Sequence, residues 1–478
     1  MKPTIEQQYQ NTKIIPPVQT FQEAQFPEPF QSGLEFNAPV RGPWNIVHMA
    51  LLVPDAHLLY ICARGCLRGV LMTAYEMHAE NRMSWVGVAE DDLANGRLEE
   101  VTFASIQEII DNLEPKPKLI FLYLSCIHKF SHFDYPSLIQ NLEAEYPDIR
   151  FIDCHMMPTM RKSGPTDEER TRAKMYQCLT KRTIQDEKSI TVLGNDRPLA
   201  KNSLLLHILK QAGYTIQDIT SCTTYADFTE FSKSAYTLTF SPVARLAQKE
   251  LADRCNQKAL IFLPTYQLEQ TGLHIKECTE ELAIPYPEDL VQQTLETVDT
   301  ELRRTRKQLG SRPIALDYTV TPRPLSLARL LLEYDFALAC LFCDAFDPSE
   351  DVHFRWIREH FPHCTIVQTL SPKMRLESVR NTLSEMLQNT TQKDLSFLPK
   401  DILCLGQKAA FLSMSRFFVN HVYAGNMPDV SALFFLAEEL RHAASTQKDL
   451  RYEIQLKGLG CPSCLTTTRF PKVAWSLL

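Results

Sequence analysis

Short apolar runs alternate along most of the chain with amphipathic segments of helical period, the rhythm of strand–helix–strand units around a parallel sheet. In the first block Leu58–Cys62, Trp85–Val88, Leu119–Leu124 and Arg150–Cys154 predict strands. Each is short and almost continuously apolar, as a strand covered on both faces must be. The rhythm restarts at Ser189: strand Ile190–Leu193, the turn Gly194-Asn195-Asp196, a helix over Lys201–Gln211, then strands Tyr236–Phe240 and Ala259–Leu263. Pro285–Leu309 predicts a long charged helix joining domains. A third restart at Arg312 places strands at Ile314–Tyr318, Phe336–Phe342, Thr365–Gln368 and Asp401–Leu405, with helices at Leu325–Tyr334 and from Lys408. Residues 1–40, rich in Gln, Pro, Phe and Glu without either period, predict a tail able to wrap a partner. The expected organisation is α/β: three tandem modules with parallel sheets at 41–187, 188–310 and 311–445, followed by a C-terminal tail at 446–478.

Composition narrows the class. Of 478 residues, 44% are hydrophobic and the net charge is −7, which supplies a sizeable core and disfavours nucleic acid or an anionic membrane as partner. No apolar run approaches the ~18 residues of a membrane span. Met1–Gln10 has no basic-then-apolar leader, so the expected compartment is the cytoplasm, where thiols stay reduced. The fourteen cysteines are then buried thiols, metal ligands or redox groups.

Two thiol positions stand out. Leu58–Cys62 runs through Ala63-Arg64-Gly65 to Cys66 and a helical stretch, and Leu119–Leu124 runs into Ser125-Cys126. Both strands deliver a thiol at the carboxyl edge of a parallel sheet, where ligands of such sheets bind. Gly65 lets a backbone pass close to a metal cluster, and Arg64 and Arg68 add positive charge beside it. Small buried hydrophobes at strand ends are the alternative reading of Cys62 and Cys126.

The stretch Gly42-Pro43-Trp44-Asn45-Ile46-Val47-His48 through Gly65-Cys66, with Ser125-Cys126 one unit later, resembles the first domain of nitrogenase component 1 type oxidoreductases. The resemblance implies a nitrogenase component 1-like fold of three Rossmann-like domains. It further implies an iron–sulfur cluster of the 4Fe–4S type on Cys66, Cys126 and Cys62, an ATP-hydrolysing iron-protein-like reductase as electron donor, and a homologous subunit completing a homo- or hetero-oligomer. The chain departs from the family pattern at two points. No cysteine precedes Cys62, so Cys62, a partner subunit or a carboxylate must complete the ligation. Ser241 stands in Leu238-Thr239-Phe240-Ser241-Pro242 where a cofactor-binding thiol would fall, and a hydroxyl is a poor ligand for soft iron. No iron–molybdenum cofactor is therefore expected.

Other motifs add less. His128 is the first candidate proton donor, and Asp153 and His155, flanking Cys154 at a strand end, are further acid–base candidates; ordinary packing is the alternative for both. Cys126, His128 and His132 together suggest zinc, but no fourth ligand lies nearby. Cys461 and Cys464 form a C-x-x-C without a second pair, and Cys340 and Cys343 share that spacing in an apolar strand and read as core. No phosphate loop, no dinucleotide fingerprint and no nucleophile elbow occurs. The expected function is the catalytic component of a nitrogenase-like reductase. A scaffold for metallocofactor assembly and a clusterless partner subunit are the alternatives.

Overall fold

The computed structural model describes residues 15–31, 33–36, 38, 40, 46–67, 70, 71, 74, 79–156, 165–181, 185–391, 402–421 and 429–450. They form three sheets, each with helices on its faces.

The first sheet has the order β3-β2-β4-β5 and is wholly parallel: β2 is Ala56–Cys62, β3 Met83–Gly87, β4 Leu119–Ser125 and β5 Arg150–Met156. Every residue of the central strands β2 and β4 is buried, which is why they read as unbroken apolar runs. Alternation sends Leu58, Tyr60 and Cys62 to one face and Leu59 and Ile61 to the other, where the helix Leu98–Asn112 covers them. The second sheet, order β7-β6-β8-β9, comprises β6 Asp186–Leu193, β7 Thr215–Gln217, β8 Ser234–Thr239 and β9 Lys258–Ile261, again all parallel. The third, order β1-β12-β11-β10-β13-β14, comprises β1 Val18–Thr20, β10 Ile314–Asp317, β11 Leu338–Phe342, β12 Thr365–Val367, β13 Leu403–Leu405 and β14 Phe417–Val419.

Within the tail expected over residues 1–40, Val18–Thr20 forms β1, antiparallel to β12 with Val18 opposite Val367. The next residue, Phe21, is fully buried with its ring 5.4 Å from that of Phe354. A three-residue strand is too short to show a period, so the pattern of residues could not announce it. Burial of one phenylalanine, worth about 2–3 kcal/mol, does much of the anchoring.

The modules interlock. The apolar layer under the first sheet continues into Leu193, Phe228, Phe231 and Leu251 of the second. Arg172, on the helix Asp167–Lys174, reaches Glu168 at 2.9 Å and Asp196 of the second module at 2.8 Å. Asp429, fully buried, accepts from Ser203 Oγ at 2.7 Å and from the backbone N–H of Leu205, so a carboxylate of the third module caps the helix Leu204–Gln211 of the second. Arg245 grips Asp347 with two bonds of 2.8 and 3.0 Å. No described helix is long and apolar enough to cross a membrane.

Candidate functional site

Each sheet reverses its strand order once. The reversal falls between β2 and β4, between β6 and β8, and between β10 and β13. At such a switch point the two connections leave in opposite directions and open a crevice beyond the carboxyl ends of the strands. The three crevices differ in what fills them.

In the third module the crevice is filled by the chain itself. Asp317, at the end of β10 and fully buried, accepts from Thr319 N at 2.8 Å and from Ala409 N at 2.8 Å, so it caps the helix Gln407–Ser413 that follows β13. Burial raises its carboxyl above the ordinary range, and the Thr319 and Ala409 bonds oppose that. Lys408 donates to Tyr318 Oη at 2.5 Å. Beside it, Asp344 accepts from the backbone N–H groups of Thr369 and Leu370 at 3.0 and 2.9 Å. His421, just past β14, is 2% exposed, and neither ring nitrogen has a hydrogen-bond partner among the described residues. Sequence reasoning passed over Asp317, Lys408 and His421; an aspartate ending the apolar run Ile314–Asp317 was the one available signal.

In the second module the crevice is closed by packing. Gly194 follows β6 at φ +95°, and a Cβ there would stand 3.1 Å from both Ser241 and Ala244. Ser241 is buried, and its N–H donates to Thr239 Oγ1 at 3.2 Å.

The first crevice carries the thiols. Cys62 ends β2 and Cys126 opens the five-residue helix Cys126–Phe130 after β4; the register pairs Ile61 with Leu124, which sets the two strand ends side by side. Cys66 closes a single 3-10 turn, Arg64–Cys66, through its N–H to Ala63 O at 2.9 Å. Cys66 is exposed, Cys126 half-buried and Cys62 buried. Tyr60, fully buried, stands within electrostatic reach of all three: burial, then the charges at Cys62, Cys66 and Cys126, push its phenol well above its ordinary value. Burial, followed by Cys66 and Cys126, pushes the Cys62 thiol up to about 12. The sequence-predicted trio is thus brought to one edge.

Around the thiols, Tyr135 is pushed above its ordinary range by burial and then by the charges of Asp153 and Cys126. Asp153 is engaged by Lys174, whose ammonium lies 2.5 Å from Oδ2. Ser125 Oγ is 2% exposed and has no hydrogen-bond partner among the described residues. Gly65 is exposed at ordinary φ, and a Cβ on it would meet nothing within 4 Å, so packing in this chain does not demand a glycine there.

His128 is not at this edge. It is fully buried on the opposite face of the sheet, Nε2 3.3 Å from Thr102 Oγ1 and its ring edge-on to Phe133 at 5.1 Å. His132 is exposed at φ +55° beyond the end of the short helix, so it shares no helix face with His128. Arg68 and the side chains of Arg64 and His155 lie outside the described residues, as do Cys461 and Cys464. Cys340 and Cys343 are core, on opposite faces of the third sheet as alternation requires. Among the described residues no group of three or more His, Cys, Asp or Glu is arranged to hold a metal ion.

Burial lowers His128 to about 4, and burial with Arg82 nearby lowers His57, which is 5% exposed, to about 4. Both bind a proton more weakly folded than unfolded, so their contribution is complete above about pH 6.5 and declines as pH falls towards about 4. Each histidine should cost roughly 2 kcal/mol between about pH 7 and about pH 5. Urea titrations at the two pH values should show the loss, and His128→Gln should flatten the slope; an unchanged slope refutes the assignment.

Comparison with known proteins adds the family. The family model described as "Nitrogenase component 1 type Oxidoreductase" matches residues 44–396. No curated protein matches significantly. The solved structure "Nitrogenase Cp1 at pH 6.5" superposes with a TM-score of 0.63 at 12% identity, covering 87% of this chain and 94% of that one. "Nitrogenase Cp1 at pH 5" gives 0.58 at 11% identity, covering 90% and 93%. At such identities the superpositions establish the α/β fold of three sheets, and the family match covers well over half the sequence. The chain belongs to the nitrogenase component 1 type oxidoreductase family.

Proposed function

We propose that the chain is the catalytic component of a nitrogenase-like reductase. In this reading Cys66 and Cys126 hold an iron–sulfur cluster of the 4Fe–4S type across an interface with a homologous subunit, and electrons come from a separate ATP-hydrolysing iron protein. The observation that carries it is the pair of thiols, Cys66 exposed and Cys126 half-buried, at the adjacent carboxyl ends of β2 and β4, the switch point of the first sheet. Thiolates suit iron, and the open space over Gly65 and the orphaned Ser125 hydroxyl suit a group contributed from outside the chain. In this reading the partner subunit supplies the remaining donors.

A cluster bound there supplies one-electron transfer. This chain's residues do the rest. Cys66 and Cys126 bind it. Cys62, buried among Tyr60, Leu67 and Val70 with its thiol at about 12, is the apolar floor beneath. Tyr60 and Tyr135 stay protonated at working pH and add no charge to the site. Lys174 holds the Asp153 carboxylate at the rim.

The test is iron and acid-labile sulfide content with electron paramagnetic resonance of anaerobically purified protein. Cys66→Ala and Cys126→Ala are expected to lose the signal and the iron, while Cys178→Ala, a half-buried thiol elsewhere, retains both. Iron unaffected by either substitution overturns the site. Wild-type protein free of iron overturns the cluster and leaves the clusterless partner subunit.

A further inference from the structure

A second cleft lies between the second and third modules, away from the thiols, with a volume of about 560 Å³. One wall is the edge strand β9 and the polar face of the helix Leu268–Glu281, where Gln270, His274, Glu277 and Glu281 recur at helical spacing. The other is the turn at Arg323 and the segment from Ser349 to His353. Ile261 and Val352, 63% and 56% exposed, form an apolar rim.

Two buried groups in this cleft are left incomplete. Arg323 is 7% exposed and fixed by Ser349, with Nη1 to Oγ at 3.0 Å and Nη2 to the carbonyl at 3.3 Å. Its Nε has no hydrogen-bond acceptor, the nearest carboxylate oxygen, Glu350 Oε1, lying 3.7 Å away. Glu350 is itself fully buried, and burial pushes its carboxyl up to about 8, so it is a weak counter-charge at neutral pH. His353 is 2% exposed, and its Nδ1 has no partner among the described residues. A buried guanidinium without a full counter-ion costs stability unless something supplies one. At the lip, Glu277 and Glu281 are exposed acids that repel dense anions. Leu260, Phe262 and Leu263 offer an apolar wall between.

We propose that this cleft binds a small monocarboxylic acid, its carboxylate on Arg323 and the His353 imidazole and its apolar body along β9. A carboxylate carries two acceptor oxygens, one for Arg323 Nε and one for His353 Nδ1, and its charge answers that of the guanidinium. One negative charge passes the acidic lip where a phosphate is opposed. The site is independent of the cluster, and binding is read without turnover.

The test titrates full-length protein with valerate and phenylacetate. Valeramide and inorganic phosphate serve as controls, and the His353 ring resonances and calorimetry as readouts. Both acids are expected to shift the His353 signals saturably; valeramide and phosphate are not. Arg323→Gln should weaken binding at least about tenfold. Because Arg323 also braces Ser349, a second variant, Val352→Trp, blocks the exposed rim and leaves the guanidinium in place; it too should weaken binding about tenfold. The proposal is overturned if neither acid shifts His353 at millimolar concentration, if valeramide or phosphate binds as well, or if the acids bind the folded Val352→Trp variant unchanged.

Discussion

Gly406→Ala is expected to destabilise the protein by about 4 kcal/mol, enough to leave the third module largely unfolded in mild urea. Gly406 links β13 to the helix Gln407–Ser413 at φ +101° and ψ 156°, a conformation closed to side chains. An added Cβ would lie 2.2 Å from Asp317 Oδ2 and 2.4 Å from its Cγ. Asp317 cannot step aside without giving up Thr319 N and Ala409 N, which would strand a buried acid and uncap a helix. Backbone strain contributes roughly 1–3 kcal/mol of the loss and the collision a similar amount. Gly213→Ala separates the two. Gly213 sits at φ +83° with nothing within 4 Å of a Cβ, so that variant bears strain alone and should lose only about 1–2 kcal/mol. Equal losses in the two variants would show that the approach of Asp317 to Gly406 carries no weight.

Arg172→Met should be the most damaging single change between the first two modules, at about 3–5 kcal/mol. Arg172 is 5% exposed and neutralises Glu168 and Asp196, one acid from each module. Methionine fills much of the volume but leaves two buried carboxyls facing one another without the cation. The loss belongs to the orphaned charges rather than to the ion pairs as such, because desolvation already offsets much of the attraction in the native triad. Adding Glu168→Gln and Asp196→Asn to Arg172→Met should therefore recover more than half the loss in urea titrations. A triple variant no more stable than the single one would assign the loss to packing instead.

The strands and the thiols at their ends are legible for related reasons. Leu58–Cys62 and Leu119–Leu124 announced themselves because a strand covered on both faces is apolar throughout, and Cys66 and Cys126 because they interrupt those runs at their carboxyl ends. Three residues hold no period, so β7 and β14 are as silent as β1, and β12 and β13, equally short, are legible only as the apolar runs Thr365–Gln368 and Asp401–Leu405 that contain them. Spacing along a five-residue helix does not say which side of the sheet a side chain enters, so only the structure puts His128 on the face opposite Cys62. The Arg323 cleft had no local signal at all. Its residues come from a strand and the helix that follows it, from Arg323 and from the segment Ser349 to His353, and no periodicity links pieces so far apart in the chain.

Sequence alone determined the class of fold, the family resemblance and the identity of the thiols, because burial on both sheet faces and a cysteine at a strand end are properties of consecutive residues. Tertiary structure decided what each strand end faces. The strand order places β2 beside β4, which brings Cys62, Cys66 and Cys126 to one crevice and leaves Cys66 exposed, Cys126 half-buried and Cys62 buried. The same kind of reversal in the other two modules is filled by Asp317 and Gly406 or closed by Gly194 and Ser241. Strand order is set by packing among distant segments, so a chain read one residue after another carries the thiols without showing which of them meet.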